Sequence, residues 1–177
     1  MSIINTFNND KFKVIFSNIP TNNPNVRQDV QKFNNYIRGV TLPDYTLQME
    51  AISYGTARVW QPSDKELDSL SPLVIDFQVD EDLENYLAFY TWIQTLRKGD
   101  AVTGETYTSK STIKTLSVLL LDNQKRNVKN FVFTDAIITT LSALTLQYGA
   151  SQAASFSCTF NYYSFDIQDG EDTNTNN

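Results

Sequence analysis

Three consecutive carboxylates, Asp80, Glu81 and Asp82, are the residues of this chain best placed by type and spacing to do chemistry. Clustered carboxylates hold divalent cations, and a pair of them divides the acid and base roles of glycoside cleavage. The same residues stand where a helix would begin, and negative charge there answers the unpaired N–H groups and the dipole of a first turn. Helix-start chemistry accounts for them more simply, with Asp80 as the cap.

The other chemical candidates are few. Asp64 to Asp68 is acidic but has neither the spacing nor the glycine of a calcium loop, and no phosphate-binding glycine loop or G-x-S-x-G pattern occurs. The chain has no histidine, which closes the common general-base, zinc and triad mechanisms. Its single cysteine, Cys158, lies in an alternating run and reads as a small core residue. Lys125, Arg126 and Lys129 form one small basic turn, read as a solvated hairpin tip. These absences favour a structural or binding protein over an enzyme, with no cofactor and no metal expected.

Tyr54, Arg58 and Trp60 form a different kind of set. Aromatic residues and arginine are enriched at subunit contacts, so the three are candidate interface residues, set against ordinary packing of a hairpin within its own domain.

The element that must position the acidic trio is a strand feeding a helix. In Leu73 to Val79 every second residue is apolar, which predicts a strand with one buried face. A helix over about 82–98 should follow, with a buried stripe of Leu83, Tyr86, Leu87, Tyr90, Ile93 and Leu96, then Arg97 and Lys98 at its negative end and Gly99 as the stop. The rest reads as sheet. Strands are expected at Phe12 to Phe16, Tyr36 to Leu42, Thr46 to Ile52, Thr56 to Trp60 and Ser111 to Leu121. A hairpin turns at Asp122-Asn123 into Val128 to Phe133. The β-branched run in Asp135 to Tyr148 argues for a strand, a turn near Ser142 and another strand. Gln152 to Ile167, with Ala154, Phe156, Cys158, Phe160 and Tyr162 alternating, is the cleanest strand of all.

At 177 residues, 41% hydrophobic and 12% aromatic, the chain fits one folded domain over 1–167. An N-terminal arm (1–9) and an Asn-rich loop (20–35) belong to it, and an acidic polar tail (168–177) follows. A net charge of −6 argues against gripping nucleic acid through its phosphates. No signal peptide or membrane span is legible, so no membrane partner is expected and the chain should begin in a cytoplasm.

The order of elements resembles the tail tube proteins of contractile-tailed, T-even-type bacteriophages, related in fold to the tubes of type VI secretion systems. FKVIF (Phe12 to Phe16), YIRGVTLPDYTL (Tyr36 to Leu47), LVIDFQVDEDLENYLAFYTWI (Leu73 to Ile93), VLLLDNQKRNVKNFVFTDAIITTL (Val118 to Leu141) and SFSCTFNYYSFDI (Ser155 to Ile167) carry the resemblance. It implies an α+β, mostly β fold: an antiparallel β-sandwich or incomplete barrel with one flanking helix, whose strands join into a ring-wide barrel. It further implies hexameric rings stacked into a tube, sheath and baseplate or neck proteins as partners, and phage DNA passing the lumen without specific binding. The place implied is the virion tail, assembled in the host cytoplasm. The competing readings are a tube-like paralogue in a baseplate, neck or contractile secretion device, and, from another class, a soluble β-rich ligand-binding module.

Overall fold

The computed structural model describes residues 10–17, 33–44, 49–62, 71–98, 113–149 and 153–170. The arm 1–9, nearly all of the loop 20–35, the Asp64 to Asp68 cluster, the Gly99 stop and the last seven residues of the tail lie outside them.

Nine strands and one helix follow in chain order: β1 (Phe12–Phe16), β2 (Ile37–Thr41), β3 (Met49–Tyr54), β4 (Ala57–Pro62), β5 (Leu73–Gln78), α1 (Glu84–Lys98), β6 (Ile113–Leu121), β7 (Asn127–Leu141), β8 (Ser155–Asn161) and β9 (Ser164–Asp169). Seven strands form one antiparallel sheet in the order β1-β6-β7-β8-β5-β2, with β9 also paired to β7. β3 and β4 make a separate two-stranded sheet.

The large sheet folds over on itself because β7 serves both halves. Its first part pairs with β6 and β9, its last part with β8. Phe133 faces the core, and so do Ala136 and Ile138, so the inward parity changes between them. Asp135 sits at that change with φ of 49°, a left-handed conformation that re-aims the strand. Lys114 Nζ, on β6, meets its carboxylate at 3.0 Å. The sequence reading ended one strand at Phe133 and began another near Asp135; the chain instead runs through as one 15-residue strand.

The core lies between the two halves and under α1. Leu73, Ile75 and Phe77 of β5 face Phe156, Cys158 and Phe160 of β8, all essentially inaccessible. Phe77 and Phe156 are directly paired across the strands and stack with ring centroids 5.2 Å apart. From the other half, Phe16 of β1 reaches to 6.2 Å from Phe160, closing the two layers on each other. Each such side chain contributes about 1.5–3 kcal/mol by leaving water.

The helix begins at Glu84, and its buried stripe is rotated from the one expected. Asn85, Ala88, Phe89 and Trp92 are buried, Tyr86, Ile93 and Leu96 pack at the edge, and Leu83, Leu87 and Tyr90 are exposed. Apolar residues occur on more than one face of this helix, so spacing alone fits two stripes equally well. Phe89 decides between them, since it packs at 5.0 Å from Phe77 and within reach of Phe156 and Phe160.

Two further expectations are corrected. Gln152 to Ile167 is two strands, broken at Tyr162 and Tyr163, where β9 turns back to pair with β7. Ser142 to Gly149 forms no strand. β9 itself continues through Gln168 to Asp169, whose carboxylate meets Lys129.

Candidate subunit-interface site

The β3–β4 hairpin carries the three candidate interface residues. Gly55 and Thr56 form its two-residue turn, and Gly55 at φ 62° supplies the positive φ that the first position of such a turn requires. Register pairs Ala51 with Trp60, Ser53 with Arg58 and Tyr54 with Ala57. Residues directly opposite share a face, so Arg58 and Trp60 lie together and Tyr54 lies on the other side with Ile52 and Val59.

Both faces are left bare. Tyr54 is 65% and Trp60 63% exposed, and Met49 and Val59 are each about half exposed. An isolated two-stranded hairpin is marginal in water, and this one exposes four large apolar side chains, which is costly there.

The acidic trio lies at the junction of β5 and α1. Asp80 caps the helix from outside its first turn: its Oδ1 accepts from the Asn85 N–H at 3.4 Å, while the Leu83 carbonyl takes the first helical bond, from Leu87, at 3.0 Å. Glu81 and Asp82 point to solvent. Asn85, which sequence reasoning passed over, holds the junction. Its Nδ2 donates to the Gln78 carbonyl at 2.7 Å, and its Oδ1 accepts from the N–H groups of Tyr86 and Asp80 at 2.8 and 3.3 Å. An asparagine just inside a helix start, after a strand, was the available signal.

Nothing at these positions gathers into a catalytic or metal-binding arrangement. Among the described residues no group of three or more His, Cys, Asp or Glu is placed to hold a metal ion. Cys158 is fully buried, and burial, then the charge of Asp76, pushes its thiol well above the usual range, so it stays protonated and inert. Burial, with Asp44 nearby, also raises the Tyr162 phenol, whose hydroxyl donates to the Ser71 carbonyl at 3.0 Å. Arg126 of the basic turn pairs with Asp122 at 2.8 Å and Lys129 with Asp169, so two of its three cations are neutralised within the subunit. Among the described residues no helix is long and apolar enough to cross a membrane.

Two edges complete the geometry. β1 and β2 end the sheet, each hydrogen-bonded on one side only among the described strands, and a groove of about 270 Å³ lies between them. That is below the usual range for a small-molecule site, about 300–1,000 Å³.

An antiparallel sheet curled into an open barrel, one flanking helix and a bare hairpin together define a fold seen in solved structures of contractile injection systems. The anti-feeding prophage tube-terminating cap matches with a TM-score of 0.63 at 12% identity, over 96% of this chain and 95% of that one. The sheath/tube terminator of the extracellular contractile injection system PVC matches with a TM-score of 0.61 at 11% identity, over 94% and 99%. A chain of the PVC sheath-tube complex matches with a TM-score of 0.57 at 12% identity, over 93% and 92%. No protein-family model matches the chain, and no curated protein matches it by sequence. The chain has the fold of the tail tube proteins of contractile injection systems.

Proposed function

We propose that this chain is a structural subunit of a phage tail tube, forming stacked hexameric rings around a channel that conducts DNA during ejection. Its partners are further copies of itself, a surrounding sheath, and baseplate or neck proteins. It is assembled in the host cytoplasm and carried in the virion. The observation that carries this reading is the β3–β4 hairpin, with exposed apolar side chains on both faces, together with two sheet edges left open among the described strands. Ring formation covers such surfaces and removes such edges at once.

The outward face of β5 and β8 suits an aqueous lumen, since Asp76, Gln78, Ser155, Ser157 and Thr159 alternate with the core residues. With a net charge of −6, the ring would repel phosphates and let DNA slide past. A second reading, a paralogue that ends a tube, is supported by the TM-scores of the cap and terminator, 0.63 and 0.61, against 0.57 for the sheath-tube chain. Short rings with little stacking would favour it.

Hydrogen exchange over the amides of residues 49–62 tests the hairpin's role. Protection that appears on assembly supports the reading, and equal exchange in monomer and assembly contradicts it.

A further inference from the structure

The outer face of α1 carries an apolar stripe that no described element covers. Leu83, Leu87 and Tyr90 belong to the row whose spacing assigned it to the core, yet the core takes Ala88, Phe89 and Trp92 from other sides of the helix. Leu87 is left 52% and Tyr90 47% exposed. The exposed carboxylates Glu81 and Asp82 stand just before the stripe, and exposed Arg97 lies in the last turn. Neither carboxylate has a hydrogen-bond or ion-pair partner among the described residues.

One face of the β3–β4 hairpin has the complementary character. Ala51 lies opposite Trp60, Ser53 opposite Arg58 and Met49 opposite Pro62, so Met49, Trp60 and Arg58 follow one another along a single face. Trp60 and Met49 are exposed there. Arg58 is the one charged residue on that face, exposed and with no partner for its guanidinium among the described residues.

We propose that this hairpin face of one copy docks on the outer stripe of α1 of another, setting Trp60 over Leu83 and Leu87, Met49 against the Tyr90 ring, and Arg58 at Glu81 and Asp82. This rests on the tube-subunit reading and names one of its contacts. Charge chooses both the occupant and its direction. Hairpin on hairpin would bring Arg58 to Arg58, and helix on helix would bring carboxylate to carboxylate, whereas hairpin on helix pairs them. The reverse direction would set Arg58 beside Arg97. The lengths agree as well. Arg58 to Met49 spans four residues of strand, about 13 Å at 3.3 Å each. Asp82 to Tyr90 spans about 12 Å at 1.5 Å per residue. A thioether at the edge of an aromatic ring is itself a favourable contact. Both surfaces stay bare within one subunit, so each copy offers one of each, the condition for a head-to-tail contact that repeats through an assembly.

The test reverses the charges. Arg58→Glu, and separately the pair Glu81→Lys and Asp82→Lys, should each raise the dissociation constant of assembly about tenfold in sedimentation velocity. A chain carrying all three changes should return to within about threefold of wild type, because the pairing is restored with its sign exchanged. The unfolding midpoint of Arg58→Glu should stay at the wild-type value, since the side chain is exposed. Full chains carrying Trp60→Cys and Leu87→Cys, with the buried native thiol in place, should give a covalent dimer when mixed with a short thiol crosslinker, and neither alone should do so. No recovery in the triple variant together with no mixed crosslink overturns this contact and leaves the tube-subunit reading standing. Crosslinking of Trp60→Cys to itself overturns it in favour of a two-fold contact. A wild-type chain that is monomeric at every concentration overturns both proposals.

Discussion

Asn85 Nδ2 donates to the carbonyl oxygen of Gln78 at 2.7 Å, fastening the first turn of the helix to the last residue of β5. The same side chain accepts from two N–H groups, so one buried amide satisfies three backbone groups at the strand–helix junction. Replacing it with an apolar residue of similar size leaves those groups unpaired in the protein interior. Asn85→Leu should therefore destabilise the subunit by about 2–3 kcal/mol in a urea titration. A loss below about 0.5 kcal/mol would mean that water takes over the bonds and the junction is not held by this side chain.

Asp135 is the second point on which the fold turns. At φ 49° a β-branched residue is strained, whereas glycine is not. Asp135→Val should cost about 1–3 kcal/mol of stability, partly through strain and partly through loss of the Lys114 pair. Asp135→Gly should cost clearly less. Equal losses in the two variants would place the effect in the ion pair and remove strain from the account.

These two residues also show what was legible in the sequence. Period-two alternation in β5 and β8 located both central strands and their buried faces, because each side chain there has a single role. β7 was split in two because the inward parity changes at Asp135, and a local pattern cannot tell a bend within a strand from a strand end. The helix was found from its acidic start and apolar content, but its buried face was misjudged, since only the positions of Phe77, Phe156 and Phe160 decide which stripe packs. Tyr54, Arg58 and Trp60 were singled out from their residue types, and the structure places them on one hairpin. Their division between two faces follows from the register with β4, which depends on where the Gly55-Thr56 turn falls.

Truncating the hairpin aromatics separates folding from assembly. Tyr54→Ser and Trp60→Ser remove side chains that are mostly in solvent, so the unfolding free energy of the subunit should change by less than about 0.5 kcal/mol. Assembly should weaken at least about tenfold for Trp60→Ser, the larger of the two. A large loss of subunit stability with assembly intact would return these residues to packing within the domain.

Acid should act first around the β6–β7 turn and the end of β9. The Asp122 carboxyl is held below its ordinary value of 3.8 chiefly by the Arg126 backbone N–H, with further hydrogen bonds from the Arg126 side chain and the Gln124 N–H. The Asp169 carboxyl is held below the same value by its hydrogen bond from Lys129. Both are depressed in the folded state, so their contribution is complete above the unfolded value and is lost as pH falls through the lower folded values. Asp122→Asn should flatten the acid limb of a stability profile below about pH 4 while changing little at neutral pH. An unchanged acid limb would show that the turn contributes nothing there.

The central claim is that this subunit is completed by copies of itself. Negative-stain electron microscopy of the purified chain, paired with sedimentation velocity across a wide concentration range, tests it most directly. The account predicts annular six-fold particles that stack into tubes or short rings as concentration rises. A uniform monomer at every concentration, with its hairpin and sheet edges still bare, would contradict it.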